Sequence, residues 1–80
     1  SPQDREAMIN TMVAGLDEKL RQNPRDTEGW MRLVRSYVVL GKTRQAREAR
    51  GRAIPVFGAG SDAAKKLTAF AASLGPTATE

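Results

Sequence analysis

The carboxylates are the side chains best able to do acid–base chemistry in this sequence, because its 80 residues include no histidine and no cysteine. Two carboxylate pairs, Asp4/Glu6 and Asp17/Glu18, lie on the polar side of the first predicted helix. General acid–base catalysis needs two titratable groups whose surroundings separate their pKa values, and an apolar setting for one of them is the usual device. No such setting is found here, and no loop concentrates oxygen ligands for a cation. The sequence therefore predicts no catalytic residue, no metal site and no cofactor, and we expect a protein that is not an enzyme.

The basic residues are concentrated in the middle of the chain. Residues 29–60 hold seven basic residues and one acidic residue, whereas residues 1–28 hold four basic and six acidic ones. Four of the basic residues lie on the third predicted helix, namely Arg44, Arg47, Arg50 and Arg52. Such a segment suits nucleic acid, anionic lipid or an acidic protein partner. Because the arginines lack interleaved aromatic residues and a docking motif, we expect no nucleic acid as a partner.

Four helices must position these side chains. Apolar residues recur at helical spacing, and we predict helices over residues 2–22, 27–40, from 43 toward 55 and 62–74. Ser1, Asp26 and Ser61 are the expected N-caps. Pro55 is expected to fray or kink the third helix, with Phe57 packing back from the loop. β-branched residues are sparse and no segment alternates, so the predicted fold class is all-α.

A shift of 34 residues relates one part of the chain to another. The matched positions are Met12 and Ala46, Leu33 and Leu67, and the helix stops Leu40–Gly41 and Leu74–Gly75. Helix pairs that repeat with this period cannot bury their apolar faces alone. The chain is therefore interpreted as one central helix-turn-helix repeat with a cover helix on either side.

The central pair resembles the tetratricopeptide repeat. The matching residues are Trp30, Leu33, Tyr37, Gly41, Ala46 and Ala53, preceded by Pro24. Val34, Arg50 and Gly58 depart from the pattern, where the family has a small residue, an aromatic residue and a proline. The resemblance implies a four-helix tetratricopeptide-like domain over residues 1–76, with residues 77–80 as a disordered tail.

A narrower resemblance is to the soluble repeat domain of CycH-type cytochrome c biogenesis proteins. It is carried by the runs Glu28-Gly29-Trp30, Arg35-Ser36-Tyr37 and Val39-Leu40-Gly41, and by Ser73-Leu74-Gly75. The resemblance implies a periplasmic domain of a bacterial protein anchored in the inner membrane, with the anchor outside this chain. It also implies a chaperone that holds apocytochrome c by its C-terminal helix for the haem-ligation machinery.

The predicted binding surface is a groove on the second and fourth helices, because the first helix of each tetratricopeptide pair lines the concave side. Its residues are Met31, Arg32, Arg35, Val38 and Val39, with Lys65, Lys66 and Ala69 on the fourth helix. Apolar residues edged by cations favour an amphipathic helix with acidic flanks. We expect Arg35 to lie near Lys65 or Lys66, and we expect an affinity of about 10 µM or weaker from so small a surface.

Two other functions stay open from the sequence alone. One is a generic repeat scaffold that mediates protein assembly or self-association, and the other is a basic nucleic-acid-binding module. The glycines of the joint 58–60 would let the fourth helix cover a neighbouring chain. A weak homodimer at high concentration is therefore a further prediction.

Overall fold

The chain folds as four α-helices, and the computed structural model describes residues 1–75 without a strand among them. Helix α1 spans Pro2–Gln22, α2 spans Thr27–Val39, α3 spans Thr43–Phe57 and α4 spans Asp62–Ser73. The predicted all-α, four-helix class is confirmed. The predicted domain end at residue 76 and the predicted tail at residues 77–80 lie outside the described residues.

Short polar side chains begin three of the helices, as the sequence predicts. Ser1 and Asp4 form a reciprocal capping box at the start of α1. The backbone N–H of Gly29 donates to Asp26 Oδ1 at 3.1 Å, and Ser61 caps α4 in the same way. These bonds satisfy amides that have no partner inside the helix.

Two glycines fix the ends of α2. A Cβ at Gly29 would lie 2.7 Å from Asp26 Oδ2 and 2.9 Å from a methyl carbon of Leu20, so only glycine fits where α2 begins against α1. At the other end Gly41 has φ of +74°. The N–H of Lys42 donates to the Tyr37 carbonyl at 2.8 Å, which completes a Schellman stop.

Helix α3 continues through Pro55 to Phe57, so Phe57 packs against the core as predicted, but it does so from the helix and not from a loop. Pro55 lies in the last turn, where the missing N–H costs a single bond to the Gly51 carbonyl. Both residues are exposed, and water can therefore reach that carbonyl. The N–H of Gly58 still donates to the Ile54 carbonyl at 2.9 Å and closes the helix.

Helix α2 is the centre of the packing, because it contacts each of the other three helices. Helix α4 packs on α2 and α3, whereas α1 packs on α2 alone. Trp30 on α2 is 2% exposed, and its indole N–H donates to the Pro24 carbonyl at 2.7 Å. The prediction that Trp30 is a core residue is confirmed, and half-buried Tyr37 packs beside the same core.

The 34-residue period has a clear structural counterpart between α2 and α4. Leu33 and Leu67 are both buried, and Leu40 and Leu74 both cap their helices in the αR conformation, each followed by a glycine with positive φ. The match between Met12 and Ala46 is different, because Ala46 is buried and Met12 is half exposed. The reason is that α3 is covered by both α2 and α4, whereas α1 has a helix on one side only.

Candidate helix-binding groove

A groove of about 240 Å³ runs between α1 and α2. Its walls are Ile9 and Met12 from α1, and Arg32, Arg35, Ser36 and Val39 from α2. Toward the C-terminal end of α1 it continues over Gly15, Leu16 and Lys19, with Met12 and Arg32 shared between the two parts. We call this whole surface the α1–α2 groove.

The floor of the α1–α2 groove is apolar and open to solvent. Met12 is 51% exposed and Val39 is 65% exposed, and half-buried Ile9 lies between them and the core. Met8, one turn before Met12, is 72% exposed on the adjoining surface of α1. Exposed large apolar side chains that form one surface are typical of a binding site.

Cations form the rim of the groove. Arg32 and Arg35 are exposed neighbours on α2, and within residues 1–75 neither forms an ion pair. Lys19 stands on the α1 side of the same groove. The Ser36 hydroxyl donates to the Arg32 carbonyl at 2.8 Å, so its proton is already used within α2. The groove therefore offers an apolar floor together with positive charge that has no partner inside the described chain.

Three of the predicted groove residues lie together in this groove, namely Arg32, Arg35 and Val39. Two more, Met31 and Lys66, line a separate pocket of about 370 Å³ between α2 and α4, together with Glu28. The structure thus divides the predicted single surface along the two sides of α2. Arg35 lines the groove beside α1, and neither Lys65 nor Lys66 lines that groove, so the expected clustering of Arg35 with one of these lysines is not observed.

The remaining predicted residues line neither the α1–α2 groove nor the α2–α4 pocket. Val38 is half-buried and packs against the core beneath the end of α2. Lys65 and Ala69 are exposed on α4.

The α1 wall packs on α2, and polar side chains tie it in addition to α3 and to the turn before α3. Arg52 of α3 forms an ion pair with Asp17 of α1 at 2.8 Å, and its guanidinium lies 5.2 Å from the centre of the Trp30 ring. Lys42 donates a hydrogen bond to Asn10 of α1 at 3.2 Å. These contacts fix the distance between α1 and the hairpin that α2 and α3 form.

The Asp17 carboxylate has a perturbed pKa because of this network. Its partial burial raises the pKa, but the hydrogen bonds and charges of Arg52 and Arg21 outweigh burial and hold the pKa below its usual value. The pKa of the half-buried Tyr37 phenol is raised, by burial first and then by the negative charge of Asp17. Both effects belong to the structural network around Trp30, and neither group lines the groove.

Ile9 and Met12, which α1 contributes to the groove, are absent from the surface that the sequence predicts. Helical periodicity places the whole apolar stripe of α1 in the core, where a cover helix would bury it. A signal was present, since the stripe contains Met8 and Met12 in addition to the residues that a single helix contact can bury. Val39 on α2, which the sequence does predict as a groove residue, is exposed in the structure.

Comparison with known proteins gives the family relationship. Over 72 residues, which is 90% of the chain, it is 46% identical to the cytochrome c-type biogenesis protein CycH of Rhizobium meliloti. The chain is homologous to CycH proteins. Over 43 residues, or 54% of the chain, it is also 51% identical to the CycH protein of Bradyrhizobium diazoefficiens.

The chain spans only part of these relatives, 19% of the first and 12% of the second. No protein-family model and no solved structure matches it. The tetratricopeptide resemblance thus depends on the matched residues and on the helix packing described above. None of the four described helices combines the length and the hydrophobicity that crossing a bilayer demands.

Proposed function

We propose that this domain is a non-enzymatic binding module that holds an amphipathic protein helix during cytochrome c maturation. One observation carries the proposal, namely the exposed apolar side chains of Met12 and Val39 beside the unpaired Arg32 and Arg35. A helix lying in a groove is a common mode of peptide recognition, and it requires this combination of apolar floor and polar edge. The names of the two relatives supply the process.

The partner in this proposal is apocytochrome c, held by its C-terminal helix. The domain acts as a periplasmic chaperone that keeps the helix available for the haem-ligation machinery, as part of a membrane-anchored protein. The homology to CycH proteins supports the process, and the groove supports a helical partner. The proposal that the partner is apocytochrome c and that the domain is a periplasmic chaperone is supported by the resemblance in residues 28–41.

Binding follows from two properties of the groove. The apolar face of the partner covers Ile9, Met12 and Val39 and removes their exposed carbon atoms from water. Carboxylates on the edge of the partner pair with Arg32 and Arg35, and each guanidinium can take a carboxylate through two parallel hydrogen bonds. Met12 has a flexible side chain that adapts to partners of different shape. The buried area is small, so the expected dissociation constant is about 10 µM or weaker.

Isothermal titration calorimetry with two variants tests the proposal. Arg35→Glu places a negative charge in the groove and should weaken binding of an acidic-edged amphipathic helix by about 1–3 kcal/mol, the range for charge-assisted contacts. Arg44→Glu makes the same change on the exposed surface of α3, away from the groove, and should leave the affinity within about threefold. Equal losses in the two variants would show diffuse electrostatic attraction and contradict the proposal.

A titration with double-stranded DNA separates this function from that of a basic nucleic-acid-binding module. Phosphate binding would appear as affinity for any DNA sequence that falls steeply with salt. We expect no such affinity, since Arg52 is already engaged with Asp17 and Trp30.

A further inference from the structure

We propose that the partner helix packs on α1 and α2 in the same way that α2 packs on α3 and α4. The inference rests on the proposed function and adds the position and direction of the bound helix. When positions are shifted back by 34 residues, α3 falls on α1 and α4 falls on α2. The position equivalent to α2 is then the place one period before α2, next to α1 and α2. In this structure the surface at that place is the α1–α2 groove.

The side of α2 that lines the groove is equivalent to the side of α4 that faces α2. Lys66 of α4 lines the pocket between α2 and α4, and the residue 34 positions earlier is Arg32. Arg32 lines both parts of the α1–α2 groove. Lys66 thus faces α2, the helix one period before its own, and Arg32 faces the place proposed for the partner helix.

Helix α1 presents to the groove the side that α3 buries. The buried residues of α3 are Ala46, Ala49 and Ala53. Their equivalents 34 positions earlier are Met12, Gly15 and Lys19. All three line the groove instead of the core. The three positions that are buried in α3 are therefore open to the groove in α1.

Gly15 leaves open space on the groove side of α1. A glycine inside a helix is destabilising relative to alanine, so its presence in the middle of a long helix needs a reason. A Cβ at Gly15 would meet no other atom within 4 Å, and φ at this position is not positive. Within the described residues nothing requires the glycine, and its missing side chain leaves room on α1 for a helix packed across it; the equivalent residue on α3, the small Ala49, is buried between helices.

The repeat also determines the direction of the partner. Helix α3 follows α2 through a short αα-hairpin turn and is antiparallel to it, and the repeat makes α2 parallel to α4. The partner should therefore run antiparallel to α1 and parallel to α2. Its N-terminal half then lies beside Lys19 and Arg32, and its C-terminal half lies over Ile9 and Val39. The chemistry that fits is a helix with carboxylates in its N-terminal half, where the helix dipole also favours them, and an apolar face toward its C-terminus.

Filling the space at Gly15 tests the position. Gly15→Leu should weaken binding of an acidic-edged amphipathic peptide at least tenfold in calorimetry, while the melting temperature of the domain stays the same or rises. Ala14→Leu is the matched control, because Ala14 is also exposed but is turned by about 100° from Gly15 around the helix. Equal affinities for the Gly15→Leu and Ala14→Leu variants would overturn the position.

Spin labels on the same peptide test the direction. A nitroxide at the peptide N-terminus should broaden the amide resonances of Lys19 and Arg32, and a nitroxide at its C-terminus should broaden those of Ile9 and Val39. The reverse pattern would overturn the direction and leave the proposed function intact. If the peptide did not bind the unmodified domain at millimolar concentration, the proposed function would fail as well.

Discussion

Replacement of Trp30 by alanine should remove the cooperative unfolding transition of this domain. Trp30 is 2% exposed, and truncating a buried tryptophan to alanine costs about 3–5 kcal/mol. The variant also loses the indole hydrogen bond to Pro24, which contributes about 0.5–1.5 kcal/mol, and the contact of the ring with Arg52. A domain of this size has a total stability of about 3–5 kcal/mol, so little or nothing remains.

Far-UV circular dichroism at 222 nm, followed during heating and in urea, measures the effect. Trp30→Phe serves as the matched variant, since it keeps most of the buried ring and loses the hydrogen bond. Its expected cost of about 1 kcal/mol corresponds to a Tm lower by about 4–8 °C, with cooperativity retained. A Trp30→Ala protein that melted cooperatively within a few degrees of the parent would show that the ring does not hold the helix pair together.

Three further variants test other parts of the structure. Asp17→Asn should destabilise the domain at pH 7, and the loss should shrink as the pH falls through the lowered pKa of Asp17, because a carboxylate whose pKa is lowered in the fold contributes stability only while it is ionised. Urea midpoint shifts that were equal at pH 7 and in strongly acidic solution would contradict the ion pair with Arg52. Gly41→Ala should cost about 1 kcal/mol in urea unfolding, because φ of +74° strains any residue with a Cβ, and an unchanged midpoint would exclude the Schellman stop. Gly15→Ala should raise the free energy of unfolding by about 0.5–1 kcal/mol, and a lower value would show that the glycine is needed within the chain.

The helix boundaries could be predicted because local chemistry decides them. Ser1, Asp26 and Ser61 cap their helices with side chains that bond amides three residues ahead, and Gly41 supplies a conformation that other residues avoid. The end of α3 does not follow from the usual effect of proline in a helix interior, because Pro55 lies in the last turn, where its cost is limited to one exposed carbonyl.

The division of the binding surface could not be predicted, because it depends on contacts between residues far apart in sequence. Arg52 reaches Asp17, 35 residues away, and helps to set α1 beside α2. That placement turns Met12 into a groove residue and directs Arg35 toward α1 rather than toward Lys66. Helical periodicity reports which face of a helix is apolar, but it does not report how many neighbours will cover that face.

Amide chemical shifts, recorded while an apocytochrome c C-terminal helix peptide is added to the ¹⁵N-labelled domain, test most directly whether the α1–α2 groove is a helix-binding site. Binding in the groove should shift the resonances of Ile9, Met12, Arg35 and Val39 in a saturable way, with those on the exposed surface of α3 unchanged. Shifts confined to the arginines of α3, or no shifts at millimolar peptide, would contradict the proposed function.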